Sequence, residues 1–190
     1  MPLLSILIPS VPNRHSQLHS LFKNLAWQVE NYGDDVEVLV LLDNKKRSIG
    51  LKRQALLDIA KGTYVTWIDD DDEPDMDYVY EVMEVLHGSF HPDVITINQE
   101  VYIDGKGPYS LTFKAGHPDN EEVGEIPATR PPWHTCIWKR ETVKDCKFPD
   151  MMYGEDWAWA EQANKLIRHS FHIDKVLLTY IFDSNITEAK

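Results

Sequence analysis

Apolar and polar positions along this chain follow two rhythms. From Leu3 to Pro9 every residue but Ser5 is apolar. A run of that kind predicts a strand buried on both faces, as in a parallel sheet. Pro9, Pro12 and Asn13 end it. Leu18, Leu21, Phe22, Leu25 and Val29 then recur at helical spacing, and Gly33 stops the helix. Val36 to Leu42 predicts a second strand that closes on Asp43. These elements form a β-α-β unit, which implies a parallel pair joined by a right-handed crossover.

The unit repeats. Ser48 is placed to cap a helix carrying Leu51, Ala55, Leu56 and Ile59, and Ala60-Lys61-Gly62 ends it. Tyr64 to Ile68, β-branched and aromatic, predicts a third buried strand. Met76, Val79, Tyr80, Met83 and Leu86 outline a third helix, stopped by Gly88. Beyond it the rhythm changes to antiparallel pairing. Val94 to Tyr102 reads as a strand, Asp104-Gly105 as a hairpin turn and Tyr109 to Phe113 as the return. Lys114 to Pro132 lacks apolar periodicity and is expected to be a long loop. Trp133 to Trp138 reads as a strand, and Lys139 to Val143 as a short helix or turn. Gly154 opens a helix with Trp157, Ala160, Ala163 and Ile167 on one face. Val176 to Phe182 reads as the last strand, before a polar tail from Asp183.

The chemistry concentrates at the third strand. Asp69, Asp70, Asp71, Asp72 and Glu73 follow Ile68 without a break. The carboxylates therefore stand at the C-terminal end of a core strand, where open α/β sheets bind ligands. If the strand continues through them, Asp69 and Asp71 share one face and Asp70 and Asp72 the other. Carboxylates so close raise one another's pKa or need a cation, and hard oxygen ligands suit Mg²⁺, Mn²⁺ or Ca²⁺. The alternative is a solvated acidic loop at a helix N-terminus. Residues 43–53 hold five basic residues against one acid. Asp43 and Asp69 would thus share a sheet edge with an acidic and a basic lip, which matches a diphosphate bridged by a metal.

At 190 residues the chain is expected to be one domain. Its net charge of −12 argues against a general binder of nucleic acid or anionic membranes. Cys136 and Cys146 make no disulfide framework, and no segment reaches membrane-spanning length, so a cytoplasmic setting is expected. The sequon Asn185-Ile186-Thr187 reads as chance without a secretory signal.

Two strings resemble one family. The stretch from Ser48 to Asp72, Ser-Ile-Gly-Leu-Lys-Arg-Gln-Ala through Gly62-Thr-Tyr-Val-Thr-Trp-Ile-Asp-Asp-Asp-Asp, is similar to the Ala-Arg-Asn and Asp-x-Asp region of family 2 glycosyltransferases with the GT-A fold. Tyr153-Gly154-Glu155-Asp156-Trp157 resembles the family's Glu-Asp motif. Ser5 to Pro9 and Tyr180 to Thr187 resemble its first strand and closing segment. The resemblance spans nearly the whole chain in order. It implies an α/β fold, Rossmann-like, with a mostly parallel central sheet and an antiparallel C-terminal portion. Residues 1–103 would form the donor- and metal-binding half, and residues 104–190 the acceptor-binding half with the catalytic base.

The family implies inverting transfer from a nucleoside-diphosphate sugar, a uridine diphosphate sugar being the commonest donor, with Mn²⁺ or Mg²⁺. By resemblance, Pro9, Asp43, Arg53, Asp69 and Asp70 would meet the donor. Asp69, Asp71 and Asp72 would hold the metal, with the register of the pair left open, and His134 is the candidate further ligand or an acceptor-pocket histidine. Asp156, beside Glu155, would be the general base. Trp133, Trp138 and Trp157 would shape the acceptor site. The acceptor itself is open: a saccharide, a lipid-linked sugar, a protein or a modified nucleobase. There are two departures from the pattern. Ile181 stands where many relatives carry a basic residue, leaving Lys45, Lys46 or Arg47 to help with the diphosphate. Lys52-Arg53-Gln54 replaces Ala-Arg-Asn but keeps the arginine. An inactive sugar-nucleotide-binding relative and a nucleotidyltransferase are the competing readings. No Gly-x-Gly phosphate loop follows strand one to favour the latter.

Overall fold

The structure, a computed structural model, describes residues 1–117 and 128–184. The sequon and most of the tail lie outside the described residues, as does the middle of the predicted Lys114 to Pro132 loop. The first β-α-β unit is β1 (Leu4–Ser10), α1 (His15–Val29) and β2 (Val36–Leu42). All seven residues of β1 are buried, as its apolar run predicts. β1 pairs in parallel with β2 on one side and with β3 (Tyr64–Trp67) on the other. Between them α2 (Ile49–Ile59) packs on β1 and β2. Ser48 caps α2, its hydroxyl accepting from the Leu51 amide at 3.1 Å.

The buried face of α2 differs from the apolar pattern. Leu51 and Ile59 are exposed, whereas Gly50, Lys52, Arg53, Leu56 and Leu57 are buried. Two cations face inward because carboxylates supplied by other elements wait for them there. A buried carboxylate left without a counter-charge is strongly destabilising, which favours cations on this face.

After β3 the chain does not continue as a strand through the acids. The Asp72 amide donates to the Asp69 carbonyl at 3.0 Å, so residues 69–72 form a turn. The expected sharing of faces by alternate aspartates is therefore replaced by a fan of four carboxylates, Asp69 on Arg53, Asp70 and Asp71 on Arg14, and Asp72 without a side-chain partner. The turn leads into β4 (Glu73–Pro74) and then α3 (Tyr78–His87). Helix α1 holds this exit in place. Asn24 donates to the Pro74 carbonyl at 3.0 Å, and Gln28 donates to the Asp75 carbonyl at 2.9 Å while accepting from the Val79 amide at 2.9 Å. Tyr78, Val79, Val82, Met83 and Leu86 form the buried face of α3, while Met76 and Tyr80 are exposed.

β5 (Val94–Ile103) and β6 (Lys106–Phe113) form the hairpin announced by Asp104-Gly105, both of which have positive φ. β7 (Ala128–Arg130) adds to β6 in parallel, so the long loop ends in a short strand. The run from Trp133 to Trp138 is mostly turn. Only its end belongs to β8 (Ile137–Lys139), which pairs antiparallel with β3 and β5. Then come α4 (Arg140–Val143) and α5 (Glu155–Asn164). The last strand, β9 (Ser170–Phe182), starts earlier than its apolar stretch suggests. It pairs in parallel with β5 and antiparallel with β4. The order is β2-β1-β3-β8-β5-β6-β7, with β9 along the other edge of β5.

In α5 the core residue is Trp159, fully buried, while Trp157 is 52% exposed. Trp159 stacks on Phe148 at 5.0 Å between ring centroids and meets Trp67 and Trp138 edge-on at 5.1 and 5.3 Å. The rotation has a cause. Glu155 lies one turn before Trp159 on the same face, and that face turns Glu155 toward Arg53. Cys136 and Cys146 are both buried and free. Among the described residues no helix is long and apolar enough to cross a membrane.

Candidate functional site

A cavity of about 810 Å³ opens at the C-terminal ends of β1 and β3. It is lined by Pro9 and Ser10 from the end of β1, by Asp69 to Asp72, by Trp133 and His134, and by Glu155, Asp156 and Trp157. Two acidic motifs more than eighty residues apart in sequence thus meet at one cleft.

Arg53 joins them from behind the wall. One terminal nitrogen donates to both Asp69 oxygens at 2.8 and 2.7 Å. The other donates to Glu155 Oε1 at 2.5 Å and lies 4.0 Å from Asp156 Oδ2. Burial alone would push the Asp69 carboxyl up, but Arg53, then His134 and Arg14, hold it below the usual range. Glu155 stays above its usual value, because burial outweighs Arg53. Arg53 is therefore a fixed counter-charge for Asp69 and Glu155, not a group that faces the cleft.

Asp70 and Asp71 share Arg14, and Asp72 has no side-chain partner. Ser10 Oγ donates to Asp70 Oδ2 at 2.6 Å, and Arg14 Nη1 donates to Asp70 Oδ1 at 2.8 Å. The same Arg14 nitrogen lies 3.0 Å from Asp71 Oδ2. Burial, and then the charge of Asp69, raise the Asp71 carboxyl to about 6 despite that contact. Asp72 is buried with no side-chain partner, and burial with Asp69 and Asp71 beside it lifts its pKa well above the usual range, although the Ile181 backbone pulls the other way. Asp43 pairs with Lys52 Nζ at 3.0 Å, and Lys52 also donates to the Ser10 carbonyl at 3.0 Å.

His134 is buried, and neither ring nitrogen has a hydrogen-bond partner. Its ring stacks on Trp133 with centroids 6.5 Å apart. Burial, then Arg53, depress its pKa to about 4, so at neutral pH it presents an uncharged imidazole to the cleft.

Several expectations change here. Trp138 is fully buried, its indole N–H donating to the Trp133 carbonyl at 2.8 Å, and it is a core residue with no surface for an acceptor. Among the described residues no three His, Cys, Asp or Glu side chains are grouped to hold a metal ion. Asp69 is taken by Arg53. A cation still fits the remaining acids, since Asp72 is a buried, unpaired carboxylate beside a repelled Asp71, and Mg²⁺-type sites commonly use one or two carboxylates completed by substrate phosphates. Arg14 and Lys52, both lining the cleft, were not singled out by the sequence reading. Their signal was the sheet edge itself: five consecutive acids at that edge require counter-charges from the neighbouring loops.

No family model and no curated protein matches the chain in sequence. Solved structures do match in shape. A fragment of S. aureus TarS, solved in complex with UDP-GlcNAc, superposes with a TM-score of 0.69 over 97% of this chain at 19% identity. The chain has the GT-A fold. It spans 59% of that TarS fragment. The catalytic domain of Drosophila β1,4-galactosyltransferase 7 in complex with xylobiose matches at a TM-score of 0.57 and 11% identity, over 99% of this chain and 74% of that one. A mutant of the same enzyme, in complex with manganese, UDP-Gal and xylobiose, matches at 0.58 and 11% over 100% and 76%.

Proposed function

We propose that this protein is a metal-dependent, inverting glycosyltransferase of the family 2 kind, moving a sugar from a uridine diphosphate sugar to an acceptor hydroxyl. One observation carries the reading: Asp69 to Asp72 and Glu155-Asp156 line a single cleft, tied together by Arg53. The UDP-GlcNAc bound to TarS, and the manganese and UDP-Gal bound to the Drosophila enzyme, support it.

In this reading residues 1–103 bind the donor and residues 104–190 the acceptor. Pro9 and Asp43 meet the base and ribose, and Asp69 and Asp70, fixed by Arg53, Ser10 and Arg14, shape the floor under the donor. Asp71 and Asp72 hold a Mn²⁺ or Mg²⁺ ion, which supplies charge neutralisation for the departing diphosphate. Arg14 and Lys52 add positive charge on the same side, covering the absence of a basic residue at Ile181. Trp133 and Trp157 contact the acceptor, and His134 is a neutral hydrogen-bonding partner for it. Asp156, at the first turn of α5, takes the proton of the acceptor hydroxyl. The hydroxyl oxygen bonds to the anomeric carbon as the carbon–oxygen bond to the diphosphate breaks, and the electron pair leaves with the diphosphate. A single displacement of this kind inverts the anomeric centre and needs one base.

The test is thermal stability with a panel of nucleoside diphosphates, with and without Mn²⁺. A ligand at a hundred times its Kd stabilises by about 2.7 kcal/mol, which is several degrees for a chain of this size. A rise that needs both UDP and Mn²⁺ is expected. In Asp156→Asn the rise persists while transfer to acceptor falls about 10²–10⁴-fold. No rise with any diphosphate, with or without metal, refutes the proposal.

A further inference from the structure

The wall of the cleft formed by β5, β6 and β9 is apolar in a way the proposed reaction does not require, with its Tyr180 end reaching the acids. Strand pairing places Gln99 opposite Leu111 and Leu178, Val101 opposite Tyr180, and Ile103 opposite Phe182. Leu111 lies opposite Ala128, and Phe113 opposite Arg130. Directly paired residues share a face of a sheet. One face of the β7-β6-β5-β9 layer therefore carries Val101, Ile103, Leu111, Phe113, Tyr180 and Phe182, and all six line the cavity. Val101, Leu111 and Phe113 are buried, and the other three are half-buried. The polar groups on this wall are the Tyr180 hydroxyl, the Gln99 amide and the Arg130 guanidinium. Gln99 is engaged, its amide donating to Thr135 Oγ1 at 3.2 Å, and Arg130 lies over the Trp133 ring at 5.0 Å. The mouth of the cavity adds Met152, Tyr153 and Trp157, large side chains that are 54%, 77% and 52% exposed.

A sugar chain laid along this wall would lose water from its hydroxyls and meet mainly hydrocarbon, which is unfavourable for each hydroxyl left unpaired. An apolar group would gain from the same contact. We propose that the acceptor is amphiphilic, presenting its hydroxyl toward Asp156 while an apolar aglycone, aryl or alkyl, packs on the Val101–Leu111–Phe182 wall. The proposal rests on the glycosyltransferase reading for the word acceptor, and on the wall alone for the apolar ligand. The bond-forming step is the displacement described above, with the aglycone taking no part in the chemistry.

The experiment titrates the full chain, in the presence of UDP and Mn²⁺, with methyl, phenyl and octyl β-D-glucosides, following heat or NMR saturation transfer. Phenyl or octyl glucoside is expected to bind at least about tenfold more tightly than the methyl glucoside, since each buried methylene contributes about fourfold. Preference for phenyl over octyl assigns an aromatic aglycone, and the reverse an aliphatic chain. Phe182→Ser lowers the ratio of apolar to methyl affinity at least about threefold, whereas Phe182→Leu retains it. Ile103→Thr gives the same loss of ratio by a smaller change, should Phe182→Ser fail to fold. Equal affinity for the three glucosides overturns the proposal, as does a ratio unmoved by both polar substitutions. A UDP titration of the unaltered protein separates the two readings. If UDP fails to bind while the apolar preference holds, the donor reading falls and the apolar wall stands. If UDP binds and the preference is absent, the wall proposal falls alone.

Discussion

Replacing Arg53 by methionine removes the cation that joins the two acidic motifs. Arg53 is 3% exposed, and its guanidinium bonds Asp69 at 2.7 and 2.8 Å and Glu155 at 2.5 Å. Methionine keeps an apolar stem of similar length, so the change removes charge and donors more than packing. It leaves Glu155, itself 4% exposed, and Asp69 without their counter-charge. Breaking one side of a buried pair costs about 3–5 kcal/mol. At about 2–4 °C per kcal/mol for a chain of this length, the melting temperature at pH 7.5 should fall by about 6–20 °C. The pH dependence separates this cause from lost packing. In the unaltered protein, Arg53 holds Asp69 below the usual range against the upward push of burial. A depressed carboxyl contributes stability above its unfolded pKa, and the contribution is lost as pH falls through the folded value. Without Arg53 both carboxyls are raised by burial and are penalised above about pH 4. The gap between the two proteins should therefore be widest at neutral pH and shrink as pH falls through about 4. Urea denaturation followed by circular dichroism at a series of pH values measures it. A loss below about 1 kcal/mol at pH 7.5, or a loss equal at pH 4 and pH 8, would refute the reasoning.

Other consequences follow from the same site. The metal-free protein should lose stability as pH rises from about 4 to about 6, because Asp71, raised to about 6, keeps in the folded state a proton that the unfolded chain releases. That shift is worth about 3 kcal/mol, and Asp71→Asn should flatten the slope in a pH series of denaturation curves. Asp72→Asn, which removes a buried carboxylate that has no side-chain partner, should melt higher than the unaltered protein at pH 8 and equally at pH 4. It should also lose part of the extra stabilisation that Mn²⁺ adds to UDP. Gly50→Ala should destabilise by about 1–3 kcal/mol even though alanine is the better helix former, because its Cβ would stand 1.9 Å from the Pro149 carbonyl oxygen. Denaturant midpoints check this, and a stabilised variant would show that the α2 contact with Pro149 relaxes freely.

What was legible in the sequence is what depends on short-range pattern. The unbroken apolar run of β1, the β-α-β order, the serine cap of α2 and the Asp104-Gly105 hairpin each follow from local propensity and periodicity. The acidic run was found at the sheet edge because an apolar strand ends there, and Glu155-Asp156 because they open a helix. Only the tertiary structure decided which residues on those elements face one another. Lys52 and Arg53 turn inward in place of Leu51 and Ile59, because Asp43, Asp69 and Glu155 arrive from other elements to pair with them. The same pairing rotates α5, burying Trp159 where periodicity favoured Trp157, and Trp138 then completes the core instead of the acceptor site. Arg14 joins the site only because β1 and β3 end side by side. The apolar wall arises because β5 and β9, distant in sequence, run parallel and pair regularly from Gln99–Leu178 to Ile103–Phe182. Periodicity in a sequence reports where hydrocarbon is buried. The burial of a charge is set by a partner that can lie anywhere in the chain, so the position of each charge in this cleft follows from the fold as a whole.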